Sequence, residues 1–152
     1  MKFIADVHLG KLAKLLRMLG FDTLYNNSLT NSELISIALQ QNRILLSRNA
    51  AINNYKTNLQ SFCISYENPE LQLQQVLQNF NLKEHIHPFT RCIVCNGILQ
   101  PVAKDDILLQ LPPNTNHYFN EFWQCNNCNR IYWKGSHYER INKFIEEIEN
   151  KI

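Results

Sequence analysis

The chain has 152 residues, of which 45% are hydrophobic, and a formal net charge of +2, enough for one medium domain or two small ones. Charge this close to balance excludes a whole-molecule field that would gather nucleic acid, so any such function must rest on local patches. No apolar run approaches the roughly 20 residues of a membrane span, and Asp6 breaks up any signal-peptide core; the expected compartment is the cytoplasm, where thiols stay reduced and favour metal.

In chain order, Lys2 to Val7 reads as a short buried strand. Leu9, Leu12, Leu15, Leu16 and Leu19 then recur at helical spacing, with Lys11, Lys14 and Arg17 expected together on the opposite side and Gly20 as the stop. A second strand is expected at Thr23 to Tyr25. A second helix follows over Asn31 to Gln41, where Thr30 and Glu33 fit a capping box. Ile44 to Ser47 is a third strand, followed by a helical turn over Ala50 to Tyr55, and Phe62 to Ser65 is a fourth strand. Asn68 caps a third helix with Pro69 in its first turn. Strands alternating with helices predict an α/β unit with a mainly parallel sheet flanked by helices, its sites at the carboxyl edge.

The texture changes at His85 to Pro88, which divides the chain into an α/β part, residues 1–87, and a smaller part, residues 88–152. The second part carries a strand at Ile98 to Val102, a short helix over Asp105 to Leu111 stopped by Pro112-Pro113, a hairpin of Phe119 to Gln124 with Ile131 to Trp133, and a terminal helix over His137 to Asn150. Two Cys-x-x-Cys pairs, Cys92 with Cys95 and Cys125 with Cys128, supply the four soft ligands of a closed structural zinc site. Cys63, in an apolar run, reads as an inert core thiol.

Asp6 ends the first strand, so it either helps to bind Mg(II) or Mn(II) at the sheet edge or caps the next helix. Glu33 and Glu67 are further candidates at that edge, each with a plain alternative: the capping box for Glu33 and solvation for Glu67. Lys11, Lys14, Arg17 and Arg48 form a candidate rim for a phosphate backbone. Phe122, Trp123, Tyr132 and Trp133, near Arg130 and Lys134, are either stacking residues or the thin core of the small metal domain.

The residues resemble the Mut-seven C-terminal ribonuclease domain family, a PIN-like domain fused to a C-terminal zinc ribbon. The resemblance rests on Phe3-Ile4-Ala5-Asp6, Leu9-Gly10-Lys11-Leu12-Ala13, Arg43-Ile44-Leu45-Leu46-Ser47-Arg48, Pro88-Phe89-Thr90-Arg91-Cys92, Cys95-Asn96-Gly97, Glu121-Phe122-Trp123-Gln124-Cys125, and Tyr132 to Arg140. It implies a PIN-like fold and an endoribonuclease whose strand-end acids hold catalytic Mg or Mn, with RNA as partner and Asp6 matching the family's first acid. The family's Thr-Arg-Asp after the third strand is Ser47-Arg48-Asn49 here, and no carboxylate precedes Glu33 in the segment Asn26 to Asn31. The expected catalytic set is therefore Asp6 helped by Glu33, Asn49 and Glu67. The alternative is a weak or inactive PIN-like module that binds RNA or a protein partner.

Overall fold

The computed structural model describes residues 1–54 and 58–152. The first part of the chain forms β1 (Lys2–Ala5), α1 (Gly10–Met18), β2 (Asp22–Leu24), α2 (Asn31–Gln40), β3 (Ile44–Ser47), β4 (Ser61–Cys63) and α3 (Pro69–Asn79). The four strands pair in parallel in the order β2-β1-β3-β4. Chain order reverses between β1 and β3, and in open α/β sheets the crevice at the carboxyl ends of such a pair is where ligands bind. A tight helical turn over Ala50–Asn54 follows β3; Tyr55, where that turn was expected to end, lies outside the described residues.

Strand alternation sends side chains to two separate cores. On one face Phe3, Ala5 and Leu46 pack with Leu12 and Leu16 of α1 and Leu73, Val76 and Leu77 of α3. On the other, Ile4 and Leu45 pack with Leu34, Ile35 and Ala38 of α2 and with Ile52. The helix starts are built as their residues suggest. Thr30 Oγ1 accepts from the Glu33 N–H at 3.3 Å while Glu33 Oε2 accepts from the Thr30 N–H at 2.7 Å. Asn68 Oδ1 accepts from the N–H groups of Glu70 and Leu71.

The second part forms β5 (Leu99–Val102), α4 (Lys104–Ile107), a helical turn over Leu108–Gln110, α5 (Pro113–Tyr118), β6 (Phe122–Cys125), β7 (Ile131–Tyr132) and α6 (Ser136–Glu149). The strands make an antiparallel sheet in the order β5-β6-β7. The Pro112-Pro113 pair stops the preceding turn as expected, but Pro113 also starts α5, because a proline at the first helical position gives up no hydrogen bond. Ile141, Ile145 and Ile148 of α6 are buried in the same core as Phe3 and Leu12. Lys83 Nζ, beyond the end of α3, donates to the Glu149 and Ile152 carbonyls and pins the far end of α6. No helix among the described residues is long and apolar enough to cross a membrane.

Candidate functional sites: a sheet-edge cleft and a four-thiol cluster

The carboxyl ends of β1 and β3 are tied together by Asp6. The residue is 5% exposed. Oδ1 accepts from the His8 N–H at 2.9 Å, and Oδ2 accepts from Ser47 Oγ at 2.6 Å and from the Arg48 N–H at 3.0 Å. Asp6 does not cap α1 with its side chain; that helix starts from Leu9 with no side-chain cap. The carboxylate instead clamps two loops whose outer residues line a polar cleft of about 430 Å³, with Lys11, Tyr25, Arg48, Glu67 and Gln72 around it. Gly10 lines it too, and a side chain there would run into the Tyr25 ring, 2.8 Å from the position of a Cβ.

The other acids do not gather on Asp6. Glu33 is exposed and closed into the capping box. Asn49 directs its Oδ1 to the Ala51 N–H at 3.0 Å and so starts the turn after β3. Glu67 is 87% exposed and pairs with Arg48 at 3.3 Å. Among the described residues, the only group of three or more acids, histidines or cysteines placed to share an ion is the four-cysteine cluster. Hard divalent cations need several charged oxygens, and this edge offers one buried carboxylate whose two oxygens already accept three hydrogen bonds. The residues present do not fit a Mg or Mn site.

The basic rim needs one correction. Lys11, Lys14 and Arg48 are exposed, but Arg17 is 4% exposed. Its Nε donates to the Thr23 carbonyl at 2.8 Å, and its Nη1 donates to the carbonyls of Ile93 and Val94 at 3.2 and 2.9 Å. These are the two residues between Cys92 and Cys95. A guanidinium used this way is a buried brace and not a member of the exposed rim.

The four thiols Cys92, Cys95, Cys125 and Cys128 lie with their sulfurs all within 4.8 Å of one another, and none forms a disulfide. The Sγ separations of 3.7 Å for Cys92–Cys128 and 3.3 Å for Cys95–Cys125 lie at and somewhat below the ~3.8 Å that tetrahedral Zn–S bonds of ~2.3 Å require. The loops support sulfur charge: the N–H groups of Asn127 and Cys128 donate to Cys125 Sγ at 3.4 and 3.5 Å, and that of Gly97 donates to Cys95 Sγ. Burial opposes ionisation of Cys95, but hydrogen bonds from Asn127, Gly97 and the neighbouring thiols hold it at about 6. Burial and the adjacent thiols push Cys128 up to about 12. Thiolates so crowded ionise together only around a cation, and the cluster fits a soft divalent metal such as zinc. Gly97 makes room for it, since a Cβ there would lie 2.5 Å from Cys125 Sγ.

A sheet-edge cleft at the strand-order reversal, followed by a four-cysteine ribbon, agrees with the comparison to known families: the family model described as Mut7-C RNAse domain matches residues 1–145. The chain belongs to the Mut7-C RNAse domain family. No curated protein matches it, and no solved structure does.

In this Mut7-C chain the joint between ribbon and sheet uses residues whose roles the sequence hid. Asn96, at a left-handed φ of 70°, accepts from the Thr23 N–H through Oδ1 at 2.9 Å and donates through Nδ2 to Asp22 Oδ1 at 2.8 Å. Asp22 also pairs with Arg43 at 2.7 Å and Arg91 at 3.4 Å. Burial alone would raise the Asp22 pKa, but hydrogen bonds from Arg43 and Asn96 and the charges of Arg43 and Arg91 outweigh it and hold the carboxyl below its ordinary value. Tyr132 Oη meets Cys92 Sγ at 3.0 Å; burial and that contact push the phenol well above its usual range. For Asn96 the signal in the sequence was the Asn-Gly pair after Cys95, which marks a turn but not its docking partner.

Proposed function

We propose that this Mut7-C protein binds RNA in the cleft at the carboxyl ends of β1 and β3, and that metal-dependent cleavage there is weak or lost. The observation that carries the reading is a cleft with Lys11 and Arg48 on its rim at which, among the described residues, no set of carboxylates converges, Glu67 lining it as the ion-pair partner of Arg48. Lys11 and Arg48 line the cleft, while Glu33, Asn49 and Glu67 hold a cap, a turn and an ion pair. Phosphate oxygens need only such cations and backbone donors to be held, whereas a metal nuclease needs converging carboxylates. Residues 1–87 are the PIN-like unit in this reading. Residues 88–152 are a ribbon whose cysteines hold structural zinc, and the protein works in the cytoplasm with RNA as partner.

A second reading keeps the ribonuclease activity, with Asp6 as the remaining acid and Glu67, which lines the cleft, as its supplement. It is supported by the family match and by the burial of Asp6 at the strand-order reversal. One experiment separates the two. Binding to a short single-stranded RNA is measured by fluorescence anisotropy for the wild type, Lys11→Glu with Arg48→Glu, and Asp6→Asn, and cleavage is followed with Mn(II) present. The expected result is salt-dependent binding with little cleavage, and a charge-reversed double variant that loses affinity and flattens the slope against salt by about one unit for each cation lost. Unchanged affinity in that variant would remove the cleft as the RNA site. Multiple-turnover cleavage abolished by Asp6→Asn would restore the nuclease reading.

A further inference from the structure

A second concavity, of about 580 Å³, lies where the ribbon, α6 and the loop before Cys92 meet the end of α1. That volume is within the roughly 300–1,000 Å³ of small-ligand sites. Its walls carry Phe89, Trp123, Tyr132, Trp133 and Tyr138, all only partly buried. The charged side chains lining it are Arg91, Arg130 and Lys134, joined by His137, and among the described residues no carboxylate lines it. Arg91 is turned away to Asp22 and the Asn96 carbonyl. Arg130 and Lys134 are exposed, and neither forms an ion pair among the described residues. Lys134 Nζ stands 5.5 Å from the ring centres of both Trp123 and Tyr138. Phe89, a bulky residue at a left-handed φ of 62°, stacks on Tyr138 at 4.1 Å. Such a conformation is disfavoured for a large side chain.

We infer that this groove is a stacking subsite for an unpaired nucleotide of single-stranded RNA, with the base against the aromatic faces and Arg130 and Lys134 on its phosphates. Aromatic faces interleaved with cations that hold no ion pair form the platform that single strands use, because every base has a face to stack and every nucleotide a charge to neutralise. The groove also lies along a track to the cleft. Lys11 lines the cleft and Met18 the groove, separated by on the order of 10 Å of helix. Lys11, Lys14 and Met18 share one stripe of α1 by helical spacing, with Lys14 exposed between the two sites. The inference rests on the RNA reading of the cleft and adds the place where an unpaired base is held.

The chain has two tryptophans, Trp123 and Trp133, and both line the groove, so intrinsic fluorescence reports on it directly. The test titrates the full chain with a six-nucleotide single-stranded RNA and with a strand of equal length lacking bases, following tryptophan quenching and anisotropy. The intact strand should quench the tryptophans and bind about tenfold more tightly than the abasic one, the effect of about one stacked base. Arg130→Ala with Lys134→Ala should weaken both strands and reduce the salt slope, while Trp123→Leu should erase the preference for bases. Should Trp123→Leu lose its metal, the double variant of exposed cations still decides. Lys11→Glu with Arg48→Glu should weaken binding yet leave the quench at saturation. Equal binding of the two strands without quenching would overturn the subsite and leave the cleft reading standing. No binding of either strand would overturn both. Displacement of the RNA by an aspartate-rich peptide of equal affinity would assign the groove to an acidic protein segment instead.

Discussion

Arg17 shows how far a helix pattern reaches at the scale of a residue. Its spacing from Lys11 and Lys14 suggested a shared basic face. Each step of three residues, however, turns the side chain by about −60°, so Arg17 stands about 120° from Lys11. That flank is covered by Ile93 and Val94, which come from a loop 76 residues away in the chain for Ile93. No local pattern reveals such a cover. Asp6 and Ser47 were legible as strand ends, but the bond between them joins residues 41 apart and shows that the carboxylate clamps two loops. The role of Arg17 has a direct consequence. Arg17→Met preserves the packed stem and strips three carbonyls of their donor, costing on the order of 3 kcal/mol. Urea unfolding should show it as a lower midpoint with an unchanged slope. Arg17→Lys should recover only part, because a single ammonium lacks the planar fork that reaches both the Thr23 carbonyl and the ribbon loop.

At the scale of elements, the strands and longer helices of the α/β part were legible because their residues satisfy local requirements. Thr30 with Glu33, and Asn68 with Pro69, are complete caps written within a few positions. The short helix α5 was not, since Pro113 reads equally as a stop and as a start. Glu33 is the element-scale case that bears on function. In a capping box a glutamine at that position serves almost as well as a glutamate. Glu33→Gln should therefore leave both thermal stability and RNA binding close to wild type, whereas Thr30→Ala should cost about 1 kcal/mol. Loss of RNA cleavage or binding in Glu33→Gln, with the melting temperature unmoved, would give that carboxylate a chemical role after all.

For the whole molecule, the division into residues 1–87 and 88–152 suggests that loss of metal would unfold mainly the second part. The structure gives a different expectation. Ile141, Ile145 and Ile148 of α6 are part of the main core, Arg17 grips the knuckle carbonyls, and Asn96 bonds to β2. Metal binding and folding are coupled in small sites, so the coupling should extend through these contacts to the parallel sheet. Cys92→Ser, or chelation of the wild type, should lower the melting temperature of the entire chain. Both tryptophans lie in the ribbon, whereas far-ultraviolet circular dichroism is dominated by helices of both parts. Coincident transitions by the two probes are the expected outcome; a tryptophan transition well below the dichroism one would mean two independent units. The position of the ribbon against β2 could not be read from sequence, because it depends on one asparagine whose Oδ1 imitates a strand carbonyl.

That asparagine also covers part of an outer strand. β2 is an outer strand of the parallel sheet, and an outer strand is a template on which another chain can extend the sheet. Asn96 occupies the Thr23 N–H, and the Asp22 carboxylate at the start of the strand holds Arg43 and Arg91 around it. The four thiols thus do more than stiffen a ribbon. By fixing the turn that carries Asn96, they hold a cover over the β2 edge, and removal of bound metal is expected to favour edge-to-edge association, which light scattering after chelation would show.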